Sequence, residues 1–97
     1  MLYEIKFTNS AEKYLKKLYD KKLLEIIKRS LERIAVDPYS ISKKKGDLIN
    51  VYSCDIRYNN TNYELAYKIY ENEGHYILVL LIGSRENFYK ELKRSLK

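Results

Sequence analysis

Tryptophan is absent, and the 97 residues hold one cysteine, one histidine, one proline and three glycines. A lone Cys54 allows no internal disulfide, and a lone His75 leaves no Cys/His spacing suited to a metal. A reducing compartment is therefore expected, with no metal site and no cofactor. So little proline and glycine argues against long linkers and disorder. The longest apolar run, Tyr76 to Gly83, is far shorter than the roughly 20 residues a membrane helix needs. The opening MLYEIKFTNS lacks the basic-then-apolar pattern of a secretion signal. These absences together point to a cytoplasmic protein with no membrane partner.

What is present is charge and tyrosine. Nineteen basic residues against 13 acidic ones give a formal net charge of +6, so a polyanion or an acidic protein is the natural partner by long-range attraction. The chain is 45% apolar and 33% charged, a globular balance, and its length suits a single domain over residues 1–97. The 11 tyrosines suggest base stacking at first sight. Most of them, however, fall in the inward register of the expected elements, so Tyr3, Tyr14, Tyr52, Tyr63 and Tyr67 are read as core or core-edge residues.

Hydrophobic periodicity orders the elements. Leu2 to Thr8 alternates as a half-buried strand, with Tyr3, Ile5 and Phe7 on one side. Asn9 and Glu12 resemble a capping box for a helix from about Ser10 to Tyr19. A second stripe, at Leu24, Ile27, Leu31, Ile34 and Ala35, marks a helix from Lys21 to Val36, stopped by Asp37-Pro38. A loop over Pro38 to Asp47 carries Lys43, Lys44 and Lys45 before Gly46, which lacks the glycine-rich spacing of a phosphate cradle and is read as a turn residue. Three strands follow: Ile49 to Arg57, then the alternating Tyr63, Leu65, Tyr67 and Ile69, then His75 to Ile82. Their turns fall at Asn59-Asn60 and at Glu71 to Gly74. A short helix closes the chain. The expected fold is α+β, in the order β-α-α-β-β-β plus this C-terminal helix, with one sheet face covered by helices and the other open.

The hairpins bring polar residues together. With Asn60 at the middle of the first turn, Arg57 lies near Tyr63 and Asp55 near Leu65. With the second turn centred near Asn72 and Glu73, Glu64 lies near Leu81 and Ile82. Asp55, Arg57, Glu64 and Arg85 then gather at one end of the open face. A guanidinium at Arg85 suits a phosphate held by two parallel hydrogen bonds, and Tyr89, one helical turn on, suits base stacking or proton donation. Packing is the competing reading: Arg85 pairs with Glu86 or Glu64, while Phe88, Tyr89 and Leu92 seat the last helix on the sheet. Lys43 to Lys45 fit phosphate contacts and equally fit a solvated charge run. His75 sits at the far end of its strand from Arg85 and is expected as a surface turn residue. Cys54 faces inward and is expected to be inert.

The segments YEIKFTNSAEKYLKKL, IAVDPYS leading into KKKGDLINVYS, NYELAYKI and IGSRENFYKEL, in this order and spacing, resemble toxins of the RelE/ParE superfamily from type II toxin-antitoxin modules. The resemblance covers nearly the whole chain. It implies a ribosome-dependent nuclease or, as the alternative, a gyrase inhibitor or a catalytically weak toxin that acts by protein binding. RelE-like members are metal-independent endoribonucleases that cut messenger RNA on the ribosome and so inhibit translation, by driving the ribose 2′-hydroxyl onto the adjacent phosphate. ParE-like members share the fold and inhibit DNA gyrase by binding. Both imply a cognate antitoxin as partner. Residue by residue, Arg85 and Tyr89 fall where RelE-like nucleases keep an arginine and a late tyrosine. Arg57 supplies a further cation, and Lys43, Lys44 and Lys45 supply the basic, RNA-contacting loop. Ser53 and Asp55 stand where such nucleases carry lysines, and Glu64 stands in place of a phosphate-binding arginine. Glu64 is then either a general base or part of a salt-bridged patch with Asp55, Arg57 and Arg85.

Overall fold

A computed structural model describes residues 2–40, 50–72, 74–86 and 88–95. The basic triplet Lys43, Lys44 and Lys45 lies outside the described residues. The elements run β1 (Glu4–Phe7), α1 (Asn9–Lys16), α2 (Lys21–Val36), a short 3-10 turn (Pro38–Ser40), β2 (Tyr52–Tyr58), β3 (Thr61–Tyr70), β4 (Tyr76–Ser84) and α3 (Phe88–Ser95). This is the expected α+β order, and the four strands form one sheet in the order β1-β4-β3-β2. The β1–β4 pair is parallel and the other two pairs are antiparallel, so the sheet is mixed. The α1–α2 hairpin supplies the crossover that parallel pairing requires.

Local chemistry sets the helix ends, with one change from the sequence reading. Thr8, not Asn9, caps α1: it keeps extended geometry and its hydroxyl accepts from the Ala11 amide at 3.2 Å. The same hydroxyl donates to the Leu80 carbonyl at 2.8 Å, so the cap also ties α1 to β4. The helix stops at Lys16, short of the expected Tyr19, which is left largely exposed. Asp20 caps α2 by accepting from the Lys22 and Leu23 amides. Leu23, Ile27, Leu31 and Ile34 then form the buried stripe, with Leu23 taking the place expected for Leu24. They pack with Ala11 against Cys54, Ile56, Leu65, Tyr67, Ile77, Val79 and Ile82 of the sheet. Tyr67 is wholly buried and donates its phenol proton to the Pro38 carbonyl at 2.7 Å, pinning the end of α2 to the sheet centre.

The register corrects the expected pairings by a residue or two. Asn59 and Asn60 both sit in the left-handed region, at φ 51° and 63°, as a two-residue turn of the hairpin-forming kind requires. This places Arg57 opposite Asn62 rather than Tyr63, and Asp55 opposite Glu64 rather than Leu65. On the other side Glu64 lies opposite Gly83 rather than Leu81 or Ile82, and β4 runs on to Ser84. The cause is an irregularity in β4: Ala66 pairs with Leu81 and Tyr67 with Val79, leaving Leu80 as an extra residue. Ile77, Val79 and Ile82 therefore face the α1–α2 layer, while Leu80 and Leu81 both turn to the opposite face.

That second face is open only in part. Val51, Ala66, Leu80 and Leu81 form a smaller apolar cluster with Phe88 and Leu92, so α3 lies across it. Phe88 and Leu92 are buried, as the packing reading of the last helix required. Beyond α3 the same face presents the stacked Tyr70–Tyr76 pair, with the Lys6 ammonium 4.2 Å from the Tyr76 ring centre.

Candidate functional site

Alternation along β2 puts Ser53, Asp55 and Arg57 on the α3 side of the sheet, and alternation along β3 puts Asn62, Glu64 and Ala66 there. At its end, β4 delivers Arg85, whose backbone amide is held by the Asn62 carbonyl at 2.8 Å. Phe88 donates its amide to the Arg85 carbonyl at 3.1 Å, which starts α3 directly over Glu64. Three separate elements thus aim at one carboxylate.

Glu64 has no exposed surface. The Ser53 hydroxyl donates to its Oε1 at 2.8 Å, the Tyr89 phenol donates to the same oxygen at 2.6 Å, and the Arg85 Nε donates to Oε2 at 3.2 Å. A carboxylate buried this completely is tolerated only because donors replace its lost hydration and a cation opposes its charge. The Arg85 side chain itself is half exposed, and its Nη2 lies 3.4 Å from Asp55 Oδ1, whose side chain is 69% exposed. Arg85 therefore joins two unlike carboxylates, one sealed beneath it and one in water beside it.

Of the residues singled out in the sequence, Glu64, Arg85 and Tyr89 are joined in one hydrogen-bonded unit with Asp55 at its edge. Arg57 shares the face and is exposed, one step nearer the turn than Asp55, and its side chain makes no ion pair or hydrogen bond among the described residues. Arg85 pairs with Glu64 and Asp55 rather than with Glu86. Ser53 is the residue that sequence reasoning left out of the site. Its place on the polar side of β2 was readable, but its burial depends on the cover that α3 provides.

Other reactive groups lie elsewhere. Cys54 is buried on the opposite face, and burial pushes its thiol above the ordinary value, against a smaller lowering by the nearby Arg33. At the far end of the sheet, about 20 Å along β3 from Glu64, Glu71 accepts hydrogen bonds from the phenols of Tyr39 and Tyr3 and pairs with His75 Nδ1 at 2.7 Å. The hydrogen bond from Tyr39, then that from His75, holds the Glu71 carboxyl below its ordinary value. The same carboxylate pushes the Tyr39 phenol up to about 12. His75 is an exposed residue of the β3–β4 turn, where the sequence placed it. Among the described residues no group of three or more His, Cys, Asp or Glu side chains is arranged to hold a metal. No described helix is long and apolar enough to cross a membrane.

The comparisons with known proteins agree with this architecture. The free E. coli toxin RelE, in a form with two arginines replaced by alanine, superposes with a TM-score of 0.78 at 23% identity, over 100% of both chains. The same kind of mutant bound to a peptide of the antitoxin RelB gives 0.72 at 22% identity, over 94% of each chain. The toxin-antitoxin complex RelBE2 from Mycobacterium tuberculosis gives 0.65 at 23% identity, over 88% of this chain and 100% of that one. At these identities the likeness establishes a RelE-like fold. No curated protein matches the sequence significantly. The family model of the ParE-like toxin of type II bacterial toxin-antitoxin systems matches residues 5–93, nearly the whole chain, and the chain belongs to that toxin family within the RelE/ParE superfamily.

Proposed function

We propose that this toxin is an endoribonuclease that cuts messenger RNA on the ribosome, with Arg85, Tyr89 and Glu64 as its working unit. The observation that carries the reading is the 2.6 Å hydrogen bond from a half-buried phenol to a fully buried carboxylate, beside a half-exposed guanidinium. A proton acceptor and an anion-binding group side by side are what 2′-hydroxyl attack on a phosphodiester needs. Solved structures that share this fold include RelE, so the fold is compatible with the same assignment.

The geometry supports a division of roles. Glu64 is sealed, so it does not meet substrate, and the sequence expectation of a direct general base is refined to a positioning and proton-accepting role. In the proposed step the Tyr89 oxygen takes the proton of the ribose 2′-hydroxyl as its own proton passes to Glu64. The 2′-oxygen bonds to phosphorus as the bond to the 5′-oxygen breaks, and the leaving 5′-oxygen takes a proton from water, giving a cyclic phosphate and a 5′-hydroxyl end. The hydroxide so formed is neutralised by a proton from Tyr89, which recovers its own from Glu64. Arg85 opposes the charge that builds on the non-bridging oxygens, a term worth about 2.7–4 kcal/mol for one well-placed donor. Arg57 and the loop lysines Lys43, Lys44 and Lys45 would hold flanking phosphates.

A second reading has its own support. Arg57 and Arg85 are balanced by Asp55 and Glu64, so this edge carries no net charge from those four groups. That balance suits a protein-binding toxin, such as a gyrase inhibitor, better than an RNA-binding surface. Under either reading a cognate antitoxin is the expected partner, since structures of similar fold are toxin-antitoxin complexes and the net charge of +6 favours an acidic segment.

Induced expression in growing cells separates the readings. The nuclease reading expects truncated messenger RNA within minutes and no DNA-damage response. Growth arrest with intact messenger RNA and an active damage response would overturn it in favour of gyrase inhibition.

A further inference from the structure

The two carboxylates on Arg85 are not equivalent, and the difference assigns a role to Asp55. Nε is committed to Glu64, which is wholly buried and cannot exchange that bond for water. Nη2 lies 3.4 Å from Asp55, whose side chain is 69% exposed, a long contact between water-exposed groups that salt screens easily. The buried carboxylate therefore fixes where the guanidinium stands, while the exposed one only approaches Nη2. Nη2 is one of the outward donors a phosphodiester would need for bidentate contact.

We propose that Asp55 is a reversible cap on Arg85, displaced when a phosphodiester of single-stranded RNA enters the site. The inference rests on the nuclease reading for its ligand. Exchange replaces one singly charged anion by another, so the local charge balance is unchanged. The displaced carboxylate returns to water, two residues along the same strand face from Arg57, which has no ion-pair partner among the described residues. A cap of this kind weakens the hold on any isolated phosphate. It leaves binding to ligands that bring several phosphates to the basic surface at once, and so favours extended RNA over small anions.

The test is a double-mutant cycle read by direct binding. Single-stranded RNA with every 2′-hydroxyl methylated, which cannot be cleaved by this chemistry, is titrated against the wild-type chain, Asp55→Asn, Arg85→Ala and the double variant. Glu32→Gln, on α2, controls for loss of a surface charge. Removing the cap is expected to tighten binding about two- to fivefold, the range of an exposed ion pair. The gain is expected to vanish when Arg85 is alanine and to exceed that of Glu32→Gln. Equal gains with and without Arg85, a gain no larger than the control, or no RNA binding by any of the chains would each overturn the cap. Binding that behaves as expected, with natural ribosome-bound RNA left uncut, would keep the cap and reject the nuclease.

Discussion

At Glu64 the proposed proton transfer would add a chemical load to the structural one that its buried hydrogen bonds already carry. Glu64→Gln keeps the size and an acceptor for Ser53 and Tyr89 but removes the charge that can take a proton. Because the Arg85 cation is half exposed and stays hydrated when its partner is neutralised, stability is expected to change by less than about 2 kcal/mol. Cleavage is expected to fall by tenfold or more, so urea melts and cleavage rates measured together separate the two loads. Equal losses in both would reduce Glu64 to packing. Tyr89→Phe is expected to keep the fold, since the ring still covers the sheet, and to lose cleavage through its missing hydroxyl. The sequence made this grouping legible because alternation alone puts Asp55 and Glu64 on the polar side of their strands. It could not show that Glu64 is sealed, because its cover comes from α3, twenty-four positions later at Phe88 and beyond.

Among the elements, α3 is seated on the sheet by burial of Phe88 and Leu92, and that seating brings the Tyr89 phenol to Glu64. Leu92 is wholly buried against the cluster of Val51, Ala66, Leu80 and Leu81, so Leu92→Ala is expected to destabilise by about 2–4 kcal/mol. Tyr89 shares the helix, so the same change is expected to loosen its hydrogen bond to Glu64 and reduce cleavage even where the protein remains folded. At the other end of the chain, Thr8→Ala removes both the α1 cap and the bond to the Leu80 carbonyl. It is expected to cost about 1–2 kcal/mol, readable as a lower urea midpoint. Helix stripes and strand alternation were readable because each repeats several times along its element. The register was not, because an Asn-Asn pair fits two-residue and longer turns alike, and the extra residue at Leu80 leaves no mark in an unbroken apolar run. Both misreadings shift partners by a residue or two, yet the polar residues kept their common face.

For the whole molecule, the sheet has two dissimilar ends: the Glu64 unit near Arg85, and the Glu71 latch that joins Tyr3 before β1, Tyr39 in the 3-10 turn and His75 before β4. Glu71 titrates below its ordinary value of 4.5 in the folded chain, chiefly through Tyr39 and then His75. The unfolded chain therefore takes up the proton first as pH falls. The stability Glu71 contributes is full above that ordinary value and is lost as pH drops through the lower folded value. Glu71→Gln is accordingly expected to lower stability at neutral pH and to flatten its fall below about pH 4.5, seen in melting temperatures across an acid series. The central claim concerns the other end, and primer extension on purified ribosomes carrying a defined messenger RNA tests it most directly. The account predicts new 5′ ends within the ribosome-bound message for the wild-type toxin, absent with Arg85→Ala and with Tyr89→Phe. An uncut message with folded wild-type protein, in the same preparation that blocks DNA gyrase supercoiling, would contradict it.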